Sequence, residues 1–292
     1  MPILDISSKK VDLHLKKGFL QLTCNDKQKE IPLHIIDAIV VFAYSCNYSQ
    51  QLLQKLCDEN IPLIICDKKS QPIGIFQSTK QNVLRKQRVE NQLNLKQSKI
   101  NLLWQQIIKQ KTYNQAQLLR LLDKENSDIL NYNQHIKLND SSNIEALVAQ
   151  LYWKRLFGRQ FKRDPDISGI NSLLNYGYIV VRSVFCRVIT ASGLVPEIGL
   201  HHKNLYNPFC LSDDLIEPYR PYVDKIVFEI YDFDKDPDLT PEYKKRIVGV
   251  LDKQVNINNK NMHLQFAIQY TVESLISVYE NNQNNLFLPN LL

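Results

Sequence analysis

Glycine is scarce in this chain, eight in 292 residues, and none of the eight builds the glycine-rich cradle that a small-phosphoester enzyme wraps around phosphate. Cysteine is present but unpatterned: the six, at positions 24, 46, 57, 66, 186 and 210, include no C-x-x-C pair. That excludes a zinc ribbon and a disulfide framework, and it suits reduced thiols in the cytoplasm. The sequence shows no signal peptide, no apolar run of about 18 residues and no repeat of 20–50 residues, so the expectation is a cytoplasmic protein with no membrane partner. Cys210 and His202 lack the third orienting group of a thiol-imidazole nucleophile. Lys plus Arg exceed Asp plus Glu by only six, with a pI near 8.8, which permits a polyanionic partner without demanding one.

At 292 residues and 44% hydrophobic content, the chain has material for two cores. Val11–Leu15 and Phe19–Cys24 alternate apolar and polar around Lys16-Lys17-Gly18, a hairpin pattern, and Asn25–Lys29 reads as a turn between strands. Ile36–Phe42, apolar apart from Asp37, then Ser49–Glu59 with helical spacing, then Ile61–Cys66, predict a strand-helix-strand unit, with Pro72–Phe76 as a further short strand. Beyond Ser78 the character changes: Lys80–Lys111 lacks Gly and Pro and spaces Leu93, Ile100, Leu103, Trp104, Ile107 and Ile108 as an amphipathic helix or helix pair. The expected fold class is therefore α+β, with a β-rich domain over 1–78 and a larger all-α domain over 79–292. Within the latter, Asp128–Ser142 reads as a loop, Tyr178–Ser192 as a helix stopped by Gly193, Thr240-Pro241 as a helix start, His263–Tyr279 as the last helix, and Asn281–Leu292 as frayed.

The chemistry concentrates in Gly199–Pro221, GLHHKNLYNPFCLSDDLIEPYRP, where two histidines precede a carboxylate cluster by twelve to fifteen residues. Imidazole nitrogen and carboxylate oxygen together form a ligand set for Mg²⁺, Mn²⁺ or Zn²⁺. Asp214 and Glu217 share one face if their segment is helical, and two anions so placed attract a cation. The same acids also fit a helical first turn capped by Ser212 or Asp213. Glu145 is a further anionic candidate, although Ser142 and Glu145 stand in the S-x-x-E relation of a capping box. Basic residues form a stripe at Lys80, Arg85, Lys86, Arg88, Lys96, Lys99, Lys109 and Lys111, and a cluster at Lys154, Arg155, Arg159, Lys162 and Arg163. Such runs either face solvent or hold phosphate; Arg220 either meets a phosphate or pairs with Asp213 or Asp214. Tyr152, Trp153, Tyr176 and Tyr178 fit a core, or a stack on bases. His14, His34, His135 and His263 have no acidic or cysteine partner at ligand spacing and read as structural.

Glu145 with Tyr152 and Trp153, then NSLLNYGYIVVRSVF from Asn171, then GLHH and DDLIEPYRP, resemble in order the CRISPR-associated endonuclease one family, the integrase subunit that inserts new spacers. The resemblance implies a metal-dependent DNA endonuclease and integrase whose Mg²⁺ or Mn²⁺ is held by Glu145, His202 and Glu217. It places the ligand histidine fifteen residues before the glutamate, hence His202, with Asp214 assisting and His201 making a supporting hydrogen bond or a phosphate contact. Arg155, Arg159, Lys162, Arg163 and Arg220 are the expected DNA contacts. Implied partners are double-stranded DNA, both spacer precursor and CRISPR repeat; a second copy of the chain, paired through the β domain; and a small second adaptation protein in a four-plus-two complex. The compact DDLIEP form is similar to members found beside type II CRISPR proteins. The competing expectation is a non-catalytic DNA-binding scaffold, whose acids cap helices and whose basic helices clamp phosphate.

Overall fold

The structure, a computed structural model, describes residues 3–7, 10–25, 27–36, 38–67, 72–79 and 85–291. Asp26, Asp37, Lys80 and Leu292 lie outside the described residues. The chain forms two compact units, Met1–Val83 and Leu84–Leu292. The first is β-rich and small, the second larger and helical, so the architecture is α+β.

Among the described residues the first unit carries two four-stranded sheets. Strands β1 (Ile3–Ile6), β2 (Lys10–Lys16), β3 (Phe19–Cys24), β4 (Lys27–Pro32), β5 (Ala38–Val41) and β6 (Ser45–Tyr48) precede helix α1 (Gln50–Asp58), which β7 (Leu63–Cys66) and β8 (Pro72–Phe76) follow. One sheet runs β4-β3-β2-β6 and the other β1-β5-β7-β8. The β2–β3 hairpin pairs Lys16 with Phe19 across Lys17 and Gly18, whose positive φ values of 48° and 81° form a tight turn that matches the right-handed twist of its strands. The segment expected as a turn at Asn25–Lys29 is shorter than that, because β4 already pairs from Lys27. Ser49 caps α1 by accepting from the Leu52 N–H at 3.2 Å, and β5 and β7 lie parallel around the helix connection. Val11, Leu13, Leu20, Ile39, Leu52, Leu56 and Leu63 form the core between these layers.

In the second unit the amphipathic stretch is a helix pair, α2 (Arg85–Leu93) and α3 (Gln97–Leu121). Asp128–Ser142 is only partly loop: Ser127–Gln134 forms α4, anchored by buried Ile129 and by Asn133 Nδ2, which donates to Lys109 O and to Thr112 Oγ1 at 2.6 Å. Then come α5 (Ile144–Phe157), α6 (Ile170–Ala191), α7 (Cys210–Leu215), α8 (Arg220–Phe233), α9 (Pro241–Val248) and α10 (Leu264–Tyr279). Gly193, at φ 77°, ends α6, and the Leu194 N–H behind it closes on Ile189 O. By length and composition α6 could cross a membrane, but 78% of its apolar window is buried in this unit. A methyl group on Gly177 would lie 2.3 Å from Val223 Cγ1, so the glycine permits the close crossing of α6 and α8.

Two features depart from an all-helical reading. Strands β9 (Gln254–Ile257) and β10 (Lys260–His263) form a hairpin that β11 (Pro289–Asn290) joins as a third strand. The segment expected to fray after residue 280 is thereby held. Asn114 Nδ2 donates to Pro289 O at 2.9 Å, its Oδ1 accepts from the Leu291 N–H, and Gln106 and Gln110 bond the same segment.

Candidate metal centre

Helix α3 changes character along its length. Leu103, Trp104, Ile107 and Ile108 bury an apolar face, after which Lys111, Thr112, Asn114, Gln115 and Gln117 bury polar groups. Buried polar groups persist only where partners meet them. Lys111 meets two: its ammonium forms ion pairs with Glu145 Oε1 and, at 2.5 Å, with Glu217 Oε2. Burial alone lowers the Lys111 pKa, but the two carboxylates outweigh it and hold the ammonium charged.

Glu145 reaches this point because it does not cap its own helix. Asn143, at φ 51°, turns the chain into α5, and Asp140 takes the capping role, accepting from the Ile144 N–H at 3.0 Å and the Glu145 N–H at 2.9 Å. The S-x-x-E capping box between Ser142 and Glu145 therefore does not form, and the Glu145 carboxylate turns to Lys111. Glu217 opens the short turn between α7 and α8 and is 5% exposed. Its Oε1 accepts from Arg220 Nε at 2.9 Å, while its buried Oε2 lies 2.5 Å from the Lys111 ammonium. Burial pushes the Glu217 carboxyl up; Arg220 and Lys111 more than offset this and hold it at about 2.

The histidine loop is organised by Asp214, which is fully buried. Its carboxylate accepts from the backbone N–H of Leu200 at 2.6 Å, His201 at 3.0 Å and His202 at 3.2 Å, and it lies 2.6 Å from His202 Nδ1. A carboxylate only accepts, so Nδ1 carries the proton and the Nε2 lone pair is left for a metal. The hydrogen bond to Asp214 holds the His202 pKa above the ordinary value, against the effect of burial. Gly199 is required beneath this cradle: a methyl there would lie 2.5 Å from His202 O and 2.7 Å from Asp214 Oδ2. His201 stacks on Trp104 with ring centroids 4.1 Å apart, and Trp104 meets His202 edge-on at 6.0 Å.

The remaining expected residues divide by partner. Arg220 pairs with Glu217, not with Asp213 or Asp214, and lies over the Tyr178 ring at 4.4 Å. Asp213 pairs with Arg182. Arg155 binds both oxygens of Asp128 at 2.6 and 2.7 Å, and Arg163 donates to Asn171 and Asn175. Arg159 is exposed, and Lys162 lies 3.4 Å from Asp164 with its side chain 76% exposed. Tyr152 and Tyr178 are core residues whose hydroxyls donate to buried Asp224, and Tyr176 is fully buried; Trp153 sits in an aromatic group with Phe157 and Phe161. Cys210 Sγ points to loop carbonyls of Asn204 and Asn207, burial raises its thiol pKa, and His202 is engaged elsewhere, so no thiolate nucleophile is set up.

Among the described residues, no three His, Cys, Asp or Glu side chains already stand as a closed metal cluster. What the chain does bring together is a pair of glutamates sharing one cation. Lys111 and Asn114 escaped the sequence patterns, Lys111 because it reads there as one more member of a basic stripe. The only local trace is a lysine one turn beyond Ile107 and Ile108 on their apolar face.

Residues 4–235 match the protein-family model described as CRISPR associated protein Cas1. The chain is 31% identical over 287 residues to the CRISPR-associated endonuclease Cas1 of Neisseria meningitidis serogroup C (strain 8013), covering 96% of this chain and 93% of that protein. Its fold superposes on a casposase bound to integration product with a TM-score of 0.82, at 19% identity, covering 98% of this chain and 92% of the other. A Cas6-RT-Cas1–Cas2 complex matches with a TM-score of 0.78 at 18% identity, covering 97% of this chain and 35% of that one.

Proposed function

Since the chain belongs to the CRISPR associated protein Cas1 family, we propose that it is a metal-dependent DNA endonuclease and integrase that inserts short foreign fragments into a CRISPR array in antiviral immunity. The observation that carries this reading is the convergence of Glu145 and Glu217, from separate helical segments, on one cationic group. Carboxylates so paired around one cation fit a divalent ion. Glu145, Glu217 and His202 Nε2 are its ligands in this reading. Mg²⁺ or Mn²⁺ bound there supplies charge that stabilises the phosphodiester oxygens during displacement.

The chain's own residues do the rest. Asp214 fixes the ring orientation and proton position of His202, the carboxylate-histidine pairing common behind metal ligands. Arg220, 27% exposed in its side chain and held by Glu217 and Tyr178, presents a fixed guanidinium beside the site for a phosphate. No protein nucleophile is needed: the attacking group is a DNA 3′-hydroxyl in integration and water in cleavage. The partner set is that of the family, a homodimer and a small second adaptation protein around duplex DNA. A Cas1–Cas2 assembly among the fold relatives supports it.

Strand transfer and duplex binding, measured side by side, test this. Glu145→Gln and His202→Ala should lose strand transfer by at least about 100-fold while binding duplex within about twofold of the parent. Equal loss of binding in both variants would instead favour a DNA-binding scaffold.

A further inference from the structure

Lys111 is 9% exposed, on a helix face that elsewhere buries Ile107 and Ile108, and its ammonium lies against both glutamates assigned to the metal. A lysine buried in such a place is destabilising unless its charge is met, and a hydrophobic residue of similar volume would pack there as well. Glu145 and Glu217, without a cation between them, would repel each other across a half-buried gap. The ammonium thus satisfies the same oxygens that a divalent ion would take, and both cations cannot occupy one position.

We propose that Lys111 is the built-in counter-ion of the metal centre: it holds Glu145 and Glu217 together in the ion-free protein and is displaced from between them when the divalent ion binds. This rests on the assignment of those glutamates as ligands. Lys111 is a positioning residue in this scheme, acting on the ion through the carboxylates. Its consequence is a metal site of moderated affinity. Each ion that binds must break two ion pairs, so removing the ammonium should tighten metal binding while weakening the fold that lacks metal. An adjacent cation shifts the affinity of a carboxylate for a proton by about one to three powers of ten, and competition with a metal ion follows the same electrostatics.

Direct Mn²⁺ titration, by calorimetry or by electron paramagnetic resonance of the free ion, reads this without turnover. Lys111→Met should bind Mn²⁺ about tenfold or more tightly than the parent, whereas Lys111→Arg, which keeps the charge, should stay within about threefold of it. Thermal melts supply the second readout. Lys111→Met should melt below the parent in chelator and close most of that gap in saturating Mn²⁺. Unchanged or weaker Mn²⁺ binding in Lys111→Met would overturn the proposal. If Lys111→Met folds only with Mn²⁺ present, displacement is supported; if Lys111→Met and Lys111→Gln fold under neither condition, the lysine is required in the loaded state too and the proposal fails. Glu145→Gln separates the two levels. Mn²⁺ binding unaffected by Glu145→Gln removes the metal-site assignment itself, whereas binding lost in Glu145→Gln but unaltered in Lys111→Met removes only the counter-ion.

Discussion

Asp214 gathers three backbone N–H groups and one imidazole on a single buried carboxylate, so the shape of the GLHH loop and the aim of His202 depend on one side chain. With its pKa raised by Asp214, His202 stays protonated to higher pH than the ordinary 6.5. The sign of the linkage follows. The His202–Asp214 pair stabilises the fold fully below the unfolded imidazole pKa, and that stabilisation is lost as pH rises through the raised folded value. Metal ligation runs the other way, because it needs the neutral ring. Mn²⁺ affinity should therefore climb with pH through a midpoint above 6.5, and Asp214→Asn should move that midpoint down while lowering the affinity reached at high pH; a titration series across pH 5–9 checks both. The neighbouring histidine should behave differently. His201→Ala forfeits a stack on Trp104 and should lose no more than about tenfold in strand transfer, short of the His202→Ala loss, in parallel assays with Mn²⁺. Asp214 and Glu217 were legible in the sequence because they stand three apart beside a histidine pair. Lys111 was not, because its charge is met by residues far along the chain, and no local spacing encodes that meeting.

Helix α3 brings to the centre the shared cation Lys111 and the Trp104 ring that the histidines pack on. Its apolar first half was readable from spacing alone, and so were the β2–β3 hairpin and the strand-helix-strand order of the first unit, since each buries one face at a fixed period. Its polar second half was not readable, for a buried Asn or Gln looks like a surface residue until its partner is known. Asn114 is the example: it donates to Pro218 O and Pro289 O and accepts from the Leu291 N–H, tying the residue after Glu217 to the C-terminal segment. The same blindness made α4 look like a loop, because its Asn-rich composition argues against a helix while Ile129 and Asn133 fix it to its neighbours. Asn114→Ala should take this partner from Pro218 O and the Leu291 N–H, with Pro289 O keeping only Gln110, and lower the unfolding free energy by about 2–4 kcal/mol, read by denaturant titration. Strand transfer should fall as well, since the Glu217 turn loses its tether. A loss below about 0.5 kcal/mol would mean that the C-terminal segment holds itself in place.

At the scale of the molecule the question is how much of a modest positive charge is free to meet DNA. The chain carries a net charge of +6, yet two of the cations singled out by sequence are spent inside the helical unit: Lys111 on two glutamates and Arg155 on Asp128. The same interior holds Asp224, whose carboxyl burial pushes up to about 6 despite the hydroxyls of Tyr178 and Tyr152. A carboxyl raised in the fold stabilises it fully below its unfolded value near 3.8, and that contribution is lost as pH rises through about 6. Asp224→Asn should remove that part of the decline between pH 4 and 7, on the order of 3 kcal/mol, in melts across the range. Charge patterning along a sequence cannot separate a spent guanidinium from a free one, and the salt dependence of duplex binding can. Exposed Arg159 and mostly exposed Lys162 remain available to phosphate, so Arg159→Ala and Lys162→Ala should each reduce the steepness of log K against log salt by about one. Arg155→Ala should leave the slope alone and instead destabilise the fold by about 1 kcal/mol, because Asp128 is partly exposed and solvent screens the pair. Should Arg155→Ala flatten the salt slope as much as Arg159→Ala, the guanidinium must leave Asp128 for phosphate when DNA binds, and the internal pairs would be a reserve of DNA contacts and not a fixed cost of the fold.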